Sequence, residues 1–157
     1  MLIITVAIGL ILYYMDSLPA KPTPGVITSP YGYRKNPYPG ATGQQFHGGI
    51  DVAWQKKSQP VYATYSGKVI VSSNSGSTTG LRIWIKKDNS DLHLLFAHLS
   101  KSYVSVGQHV QKGDLIGMTG NSGATFSGIH LHYAERVGGT SVTYKDRNPV
   151  EVANLYK

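Results

Sequence analysis

The 157-residue chain reads as an all-β fold: an antiparallel sheet domain preceded by an N-terminal apolar helix. Three observations predict this. Short runs of β-branched and aromatic residues recur, as in Lys68-Val-Ile-Val71 and Arg82-Ile-Trp-Ile-Lys86, the pattern of strands with a buried face. Turn-forming clusters such as Ser72-Ser-Asn-Ser-Gly-Ser-Thr-Thr-Gly80 separate them. Glycine, tyrosine and valine are abundant, and only Pro149-Val-Glu-Val-Ala-Asn-Leu155 suggests a short terminal helix. The length suits one domain with a modest core.

The N-terminal element is Leu2-Ile-Ile-Thr-Val-Ala-Ile-Gly-Leu-Ile-Leu-Tyr-Tyr-Met15, largely apolar and without charge. As a helix it spans roughly 21 Å, short of the ~30 Å hydrocarbon core of a bilayer. Its length suits a signal-peptide apolar region, yet no Lys or Arg precedes it, and Leu18-Pro-Ala20 is a poor cleavage site. The expectation is therefore an uncleaved short membrane anchor over residues 1–18, contacting the lipid bilayer through residues 2–18. Tyr13 and Tyr14 would sit at the interface. Cleavage would instead give a secreted protein, and the alternative is a helix packed on the domain or on a partner assembly. Residues 19–25, Pro19-Ala-Lys-Pro-Thr-Pro-Gly25, read as a stiff extended linker. Residues 26–157 then form the β domain.

Within that domain three stretches concentrate chemistry: His47-Gly-Gly-Ile-Asp51, Phe96-Ala-His98 and His130-Leu-His132. They supply four histidines and a carboxylate. A catalytic zinc takes three protein ligands and keeps a fourth position for water or substrate, so this set suffices with two imidazoles left over. His130 and His132 lie two apart in Gly128-Ile-His-Leu-His-Tyr-Ala-Glu135, which reads as a strand. They would share one face with alpha carbons roughly 6.6 Å apart, while Leu131 and Tyr133 face the other way. One could bind a metal and the other stand beside it. In an extended strand His47 and Asp51 would lie roughly 13 Å apart, too far to share one ion. Gly48 and Gly49 disfavour a helix at about 1 kcal/mol each. A glycine-permitted bend or bulge is the remaining way to bring the two together. His98 ends the run Asp91-Leu-His-Leu-Leu-Phe-Ala-His98, where parity places it with Leu92, Leu94 and Phe96. The same parity makes His93 a solvent-facing structural residue. His109, in Val106-Gly-Gln-His-Val110, has no ligand partner nearby in sequence and is left out of the site.

In their order and spacing these stretches resemble the lysostaphin-type (LytM-like) zinc metallo-endopeptidases, which act on peptidoglycan. The resemblance runs from about Val26 to Val152. It includes Ile27-Thr-Ser-Pro-Tyr-Gly-Tyr-Arg34, Phe46-His-Gly-Gly-Ile-Asp51 and Gln59-Pro-Val-Tyr-Ala-Thr-Tyr-Ser-Gly-Lys-Val69. It continues through Phe96-Ala-His-Leu-Ser100, Val106-Gly-Gln-His-Val-Gln-Lys-Gly-Asp-Leu-Ile-Gly117 and Gly128-Ile-His-Leu-His-Tyr133. The resemblance implies a groove holding one Zn2+ ligated by His47, Asp51 and His132, with His98 and His130 as non-ligand catalytic histidines. Phe96 stands where tyrosine is common, and Gly120-Asn-Ser-Gly-Ala-Thr-Phe-Ser-Gly128 is an altered glycine-rich approach to His130. That loop would border the groove and bear on subsite preference. Tyr38, Tyr62 and Tyr133 are candidate groove-wall residues whose default role is packing.

The implied reaction is hydrolysis of an amide in peptidoglycan cross-links or stem peptides, outside the cytoplasm, at the cell envelope or in a virion. The formal charge of +7 favours anionic wall polymers, since no nucleic-acid-binding motif accompanies it. Zero cysteines exclude disulfides and a thiolate-ligated zinc. Two rival readings are a non-catalytic wall-binding or hydrolase-activating module and an assembly protein that keeps the fold. The complete set of five residues stands against the first, whereas the N-terminal apolar segment permits the second and would equally suit a phage enzyme that breaches the wall locally.

Overall fold

The computed structural model describes residues 8, 17–38, 40–74, 78–123, 128–138 and 145–157. The expected apolar anchor falls outside them apart from Ile8, Ser17 and Leu18, as do residues 124–127 of the glycine-rich loop. Among the described residues no helix is long and apolar enough to cross a membrane. The fold is mostly β, with antiparallel sheets and 5% helix, in agreement with the class read from sequence.

Among the described residues, thirteen strands form three sheets. The largest runs β1 (Val26–Ser29), β4 (Ile50–Ala53), β12 (Leu131–Val137), β8 (Leu92–Ala97), β7 (Leu81–Lys87), β6 (Gly67–Asn74), β10 (His109–Val110). Strand β13 (Lys145–Arg147) pairs with the far end of β12. A three-stranded sheet joins β5 (Pro60–Tyr62), β11 (Leu115–Thr119) and β9 (Leu99–Ser102). Strands β2 (Gly32–Lys35) and β3 (Gln44–His47) form a separate hairpin. The expected terminal helix is α1 (Val150–Asn154), which buries Val152.

Register explains the core. Ile50 lies opposite Tyr133 and Val52 opposite Leu131, while Phe96 is opposite both Tyr133 and Ile83. These side chains share one face of the large sheet and are at most 1% exposed. Val61, Leu99 and Ile116 of the three-stranded sheet enter the same core. Alternation sends Asp51, His132 and Ala97 to the opposite face, and Asp51 and His132 are direct cross-strand partners.

Three local expectations are corrected. Ser72, Ser73 and Asn74 belong to β6 rather than to a turn, because they pair with Ile83, Arg82 and Leu81 and Ser72 Oγ donates to the Val104 carbonyl. His93 does face away from the core, but it is buried, on a face where Trp84, Leu95, Ala97 and Ala134 build a second apolar cluster. Its Nδ1 reaches the Asp91 carbonyl. Residues 22–25 bend instead of running extended, and the segment lies against the domain. Ala20 N–H donates to the Thr64 carbonyl, Thr23 Oγ1 to the Pro60 carbonyl, and Tyr156 OH to the Thr23 carbonyl.

One carboxylate lies deep in the core. Glu135 is 1% exposed and accepts a 2.9 Å hydrogen bond from Tyr133 OH, with Arg147 Nη1 at 3.6 Å. Burial pushes its pKa above the usual value, and these partners offset only part of that. The group's stabilising contribution is thus complete below its unfolded pKa and is lost as pH rises through the raised folded value. Glu135→Gln abolishes this loss. The melting temperature of the variant minus that of the parent should rise as pH increases above the ordinary glutamate range; a flat or falling difference refutes the assignment.

Candidate metal centre

The centre is assembled where the β2–β3 hairpin meets the non-core face of β4 and β12. On the hairpin, alternation turns Arg34 and His47 to the same side, and both line a cavity of about 440 Å³. Asp51 follows on β4 and His132 comes from β12. His47 Nε2 lies 3.2 Å from Asp51 Oδ1 and 3.0 Å from His132 Nδ1, and His132 Nδ1 lies 2.9 Å from Asp51 Oδ1.

Gly48 and Gly49 form the bend anticipated between His47 and Asp51. Crowding, rather than a left-handed backbone, is what demands glycine there. A Cβ on Gly49 would stand 2.3 Å from the Tyr133 carbonyl oxygen, and one on Gly48 would stand 2.7 Å from Asp146 Oδ2. The bend is therefore pressed flat against β12 and β13, which sets His47 beside Asp51.

Partners outside the cluster orient the rings. His47 Nδ1 is 2.8 Å from the Pro30 carbonyl, so Nδ1–H donates there and the Nε2 lone pair faces the cluster. His98 Nδ1 donates likewise to the Ser122 carbonyl at 2.9 Å, and His130 Nδ1 to the Gly128 carbonyl at 2.8 Å. The His98 and His130 rings are 4.7 Å apart, and His130 Nε2 is 3.9 Å from Asp51 Oδ1. All five residues singled out in the sequence thus meet in one place. Asp51 Oδ2 accepts from Arg34 Nη1 at 3.1 Å, and the same Nη1 donates to Ser29 Oγ. Burial raises the Asp51 carboxyl, but the neighbouring imidazoles of His132 and His47 outweigh it and hold the carboxyl well below the usual carboxylate range. Burial pushes His98 down to about 4 and lowers His132 as well.

His98 departs from its expected face. It is the single residue between β8 and β9 and has φ 62°, a left-handed conformation. That corner breaks the alternation: Leu99 enters the core in its place, and His98 turns to the cavity. Residue-by-residue reading also missed Arg34, although it closes the Ser-Pro-Tyr-Gly-Tyr-Arg stretch. A guanidinium's carboxylate partner is visible only once strands are paired. Among the tyrosine candidates Tyr38 lines the cavity. Tyr133 is fully buried, its hydroxyl between Thr64 and Glu135. Tyr62 is half-buried on β5. His109 pairs with Asp88 at 2.7 Å, apart from the five.

The donor set suits zinc. His47 Nε2, His132 Nδ1 and Asp51 Oδ1 could hold one ion, and their mutual separations of 2.9–3.2 Å approach the edge of a zinc tetrahedron, about 3.3 Å for bonds near 2.0–2.1 Å. Two imidazole nitrogens facing each other at 3.0 Å also call for a cation or proton between their lone pairs.

With this geometry in hand, comparison places the chain among known proteins. A family model, Peptidase family M23, matches residues 45–144. Lysostaphin of Staphylococcus simulans is 32% identical over 110 residues, covering 70% of this chain and 22% of lysostaphin. The peptidoglycan DD-endopeptidase ShyA of Vibrio cholerae is 35% identical over 102 residues, covering 65% of this chain and 23% of ShyA. The chain thus spans less than a quarter of the length of either relative. Among solved structures, the catalytic domain of the prophage-encoded M23 protein EnpA from Enterococcus faecalis superposes with TM-score 0.69 at 33% identity, over 85% of this chain and 95% of that one.

The crowding at the bend gives a direct test. Gly49→Ala forces the Tyr133 carbonyl to move, which should cost about 1–3 kcal/mol of stability. It should also part His47 from Asp51 and weaken zinc binding. Unchanged thermal unfolding together with unchanged zinc titration would contradict this account of the bend.

Proposed function

The chain belongs to peptidase family M23, and from that premise we propose that it is a zinc-dependent endopeptidase that hydrolyses amide bonds in peptidoglycan cross-links or stem peptides. The observation that carries the proposal is the convergence on one cavity of three metal donors, within 4.8 Å of one another, and two further imidazoles. In this reading His47, Asp51 and His132 hold the ion, and His98 and His130 are the catalytic histidines.

Zinc held there would supply a Lewis acid for the scissile carbonyl and bring the pKa of a water close to neutrality. The protein's own groups do the rest. His98 and His130 each commit Nδ1–H to a backbone carbonyl, which leaves Nε2 as the proton acceptor. Burial keeps His98 unprotonated down to about pH 4, so its lone pair is available at neutral pH. Between them the two rings accept the proton of the attacking water at Nε2 and deliver a proton to the departing amine. Arg34 holds Asp51 from behind, so the carboxylate can keep one oxygen toward the ion. A non-catalytic module would have no need of two rings so arranged.

The cell envelope is the proposed place of action, with residues 1–18 as an anchor. What supports this is the uncharged apolar run from Leu2 to Met15. A virion setting would be served by the same arrangement.

Residues 19–157 incubated with purified peptidoglycan should release new peptide amines, and a chelator should stop the release. Walls of several chemotypes left uncut by zinc-loaded protein would exclude the peptidase reading. His130→Ala should retain zinc while losing roughly 10²–10⁴-fold in turnover. His132→Ala should lose the metal itself. Equal metal loss in the two variants would overturn the division into ligands and catalytic rings.

A further inference from the structure

We propose that Ser122 is the positioning residue for the His98 imidazole: its hydroxyl fixes the backbone carbonyl that sets the ring's tautomer and its direction in the cavity. This rests on the zinc-endopeptidase reading above and adds a residue to that same site.

Ser122 lies between β11 and β12, outside any strand. Its carbonyl accepts Nδ1–H of His98 at 2.9 Å. Its Oγ donates to the Leu99 carbonyl at 2.7 Å and accepts from the Leu81 N–H at 2.9 Å. A serine hydroxyl has one hydrogen to give and two lone pairs, so it makes both bonds at once. One residue thus joins the ring of His98, the residue that follows His98, and the first residue of β7. A carbonyl outside the sheets has no ladder to hold its direction, and here the hydroxyl of the same residue supplies that hold.

His98 needs it because its left-handed backbone turns it out of strand parity. Its own N–H donates to the Thr79 carbonyl at 3.0 Å, so residues 78–80 hold its backbone while Ser122 holds its ring. These two segments are pressed together. A Cβ on Gly80 would stand 2.3 Å from the Ser122 carbonyl carbon, and one on Gly123 would stand 2.4 Å from the Thr78 carbonyl oxygen. The bond from Leu81 N–H to Ser122 Oγ closes the same joint.

The stretch also reaches the second ring. His130 N–H donates at 3.0 Å to the carbonyl of Gly120, two residues before Ser122. The 4.7 Å separation of the two rings is therefore governed from one short piece of chain. The proposed zinc ligands take their outer partners elsewhere, His47 from Pro30 and Asp51 from Arg34. Loss of the Ser122 hydroxyl should therefore disturb proton transfer and spare the metal donors, a division that general damage to the fold would not produce.

The test uses the zinc-loaded full chain. Nitrogen NMR of isotope-labelled histidines should find His98 in the parent protonated at Nδ1, with Nε2 bare. S122A should show both tautomers of His98 and lose roughly 10²-fold in kcat on soluble cross-linked peptidoglycan fragments, the order expected for a small misplacement of a catalytic group. Its KM and zinc content should match the parent's. S122T keeps the hydroxyl and should restore the single tautomer and most of kcat. S122C, similar in shape but a weaker donor, should fall between the two, so the test does not depend on S122A folding. A parent His98 protonated at Nε2 overturns the proposal. So does an S122A variant with the parent's tautomer and kcat, or one whose zinc is lost along with its activity. If the parent cuts no fragment, the peptidase reading fails, and the tautomers of His98 in parent and variants still decide the role of Ser122.

Discussion

The pairing of Asp51 with His132 across β4 and β12 is the constraint on which the rest of the site depends. It is a matter of register before it is a matter of coordination. The ladder that sets these two opposite each other also sets Ile50 against Tyr133 and Val52 against Leu131. A slip of one residue would exchange the faces, placing a carboxylate in the core and an isoleucine in the cavity. The burial of those four apolar side chains therefore fixes the position of the donors. The other parts attach to this pair: Arg34 from β2, His47 from β3, and His130 at the bridge with Gly120 that precedes β12.

The sequence announced some of these parts and concealed others for definite reasons. His130-x-His132 could be read because a strand's period of two needs no tertiary knowledge, and the core positions of Leu131 and Tyr133 follow from the same rule. For His47 and Asp51 the sequence yielded only a condition, that the chain must fold back. The form of the bend depends on the approach of the Tyr133 carbonyl and Asp146, and neither can be inferred from neighbours in the chain. Parity failed for His98 because one left-handed residue reverses the count, and a histidine gives no warning of positive φ. It failed to place His93 in solvent because the outer face of the sheet has an apolar cluster of its own. Arg34 escaped because it takes its meaning from a carboxylate brought near by pairing.

The candidate metal centre is also a point of electrostatic tension. Asp51 sits among three imidazoles and one guanidinium, nearly removed from water, and the ring nitrogens of His47 and His132 face each other at hydrogen-bond distance. Such a cluster is costly to desolvate and is satisfied only when positive charge is shared among its members. The apolar core beneath β4, β8 and β12 offsets that cost and keeps the donors from separating. Fold and site are therefore coupled: an ion held here would need the geometry that the core imposes.

The corner at His98 bears on how such a domain would change over generations. At φ 62° a glycine is the least strained occupant and an asparagine the next, whereas a histidine stores strain of about 1–2 kcal/mol. Under the peptidase reading proposed above, that strain is tolerated because the imidazole takes part in the chemistry. A lineage that gave up hydrolysis and kept the domain as a scaffold would be released from it, and drift would favour glycine or asparagine at this corner before the buried ligands decayed. On that reading, the occupant of one left-handed position would record whether a related domain turns over substrate, even where every proposed ligand remains in place.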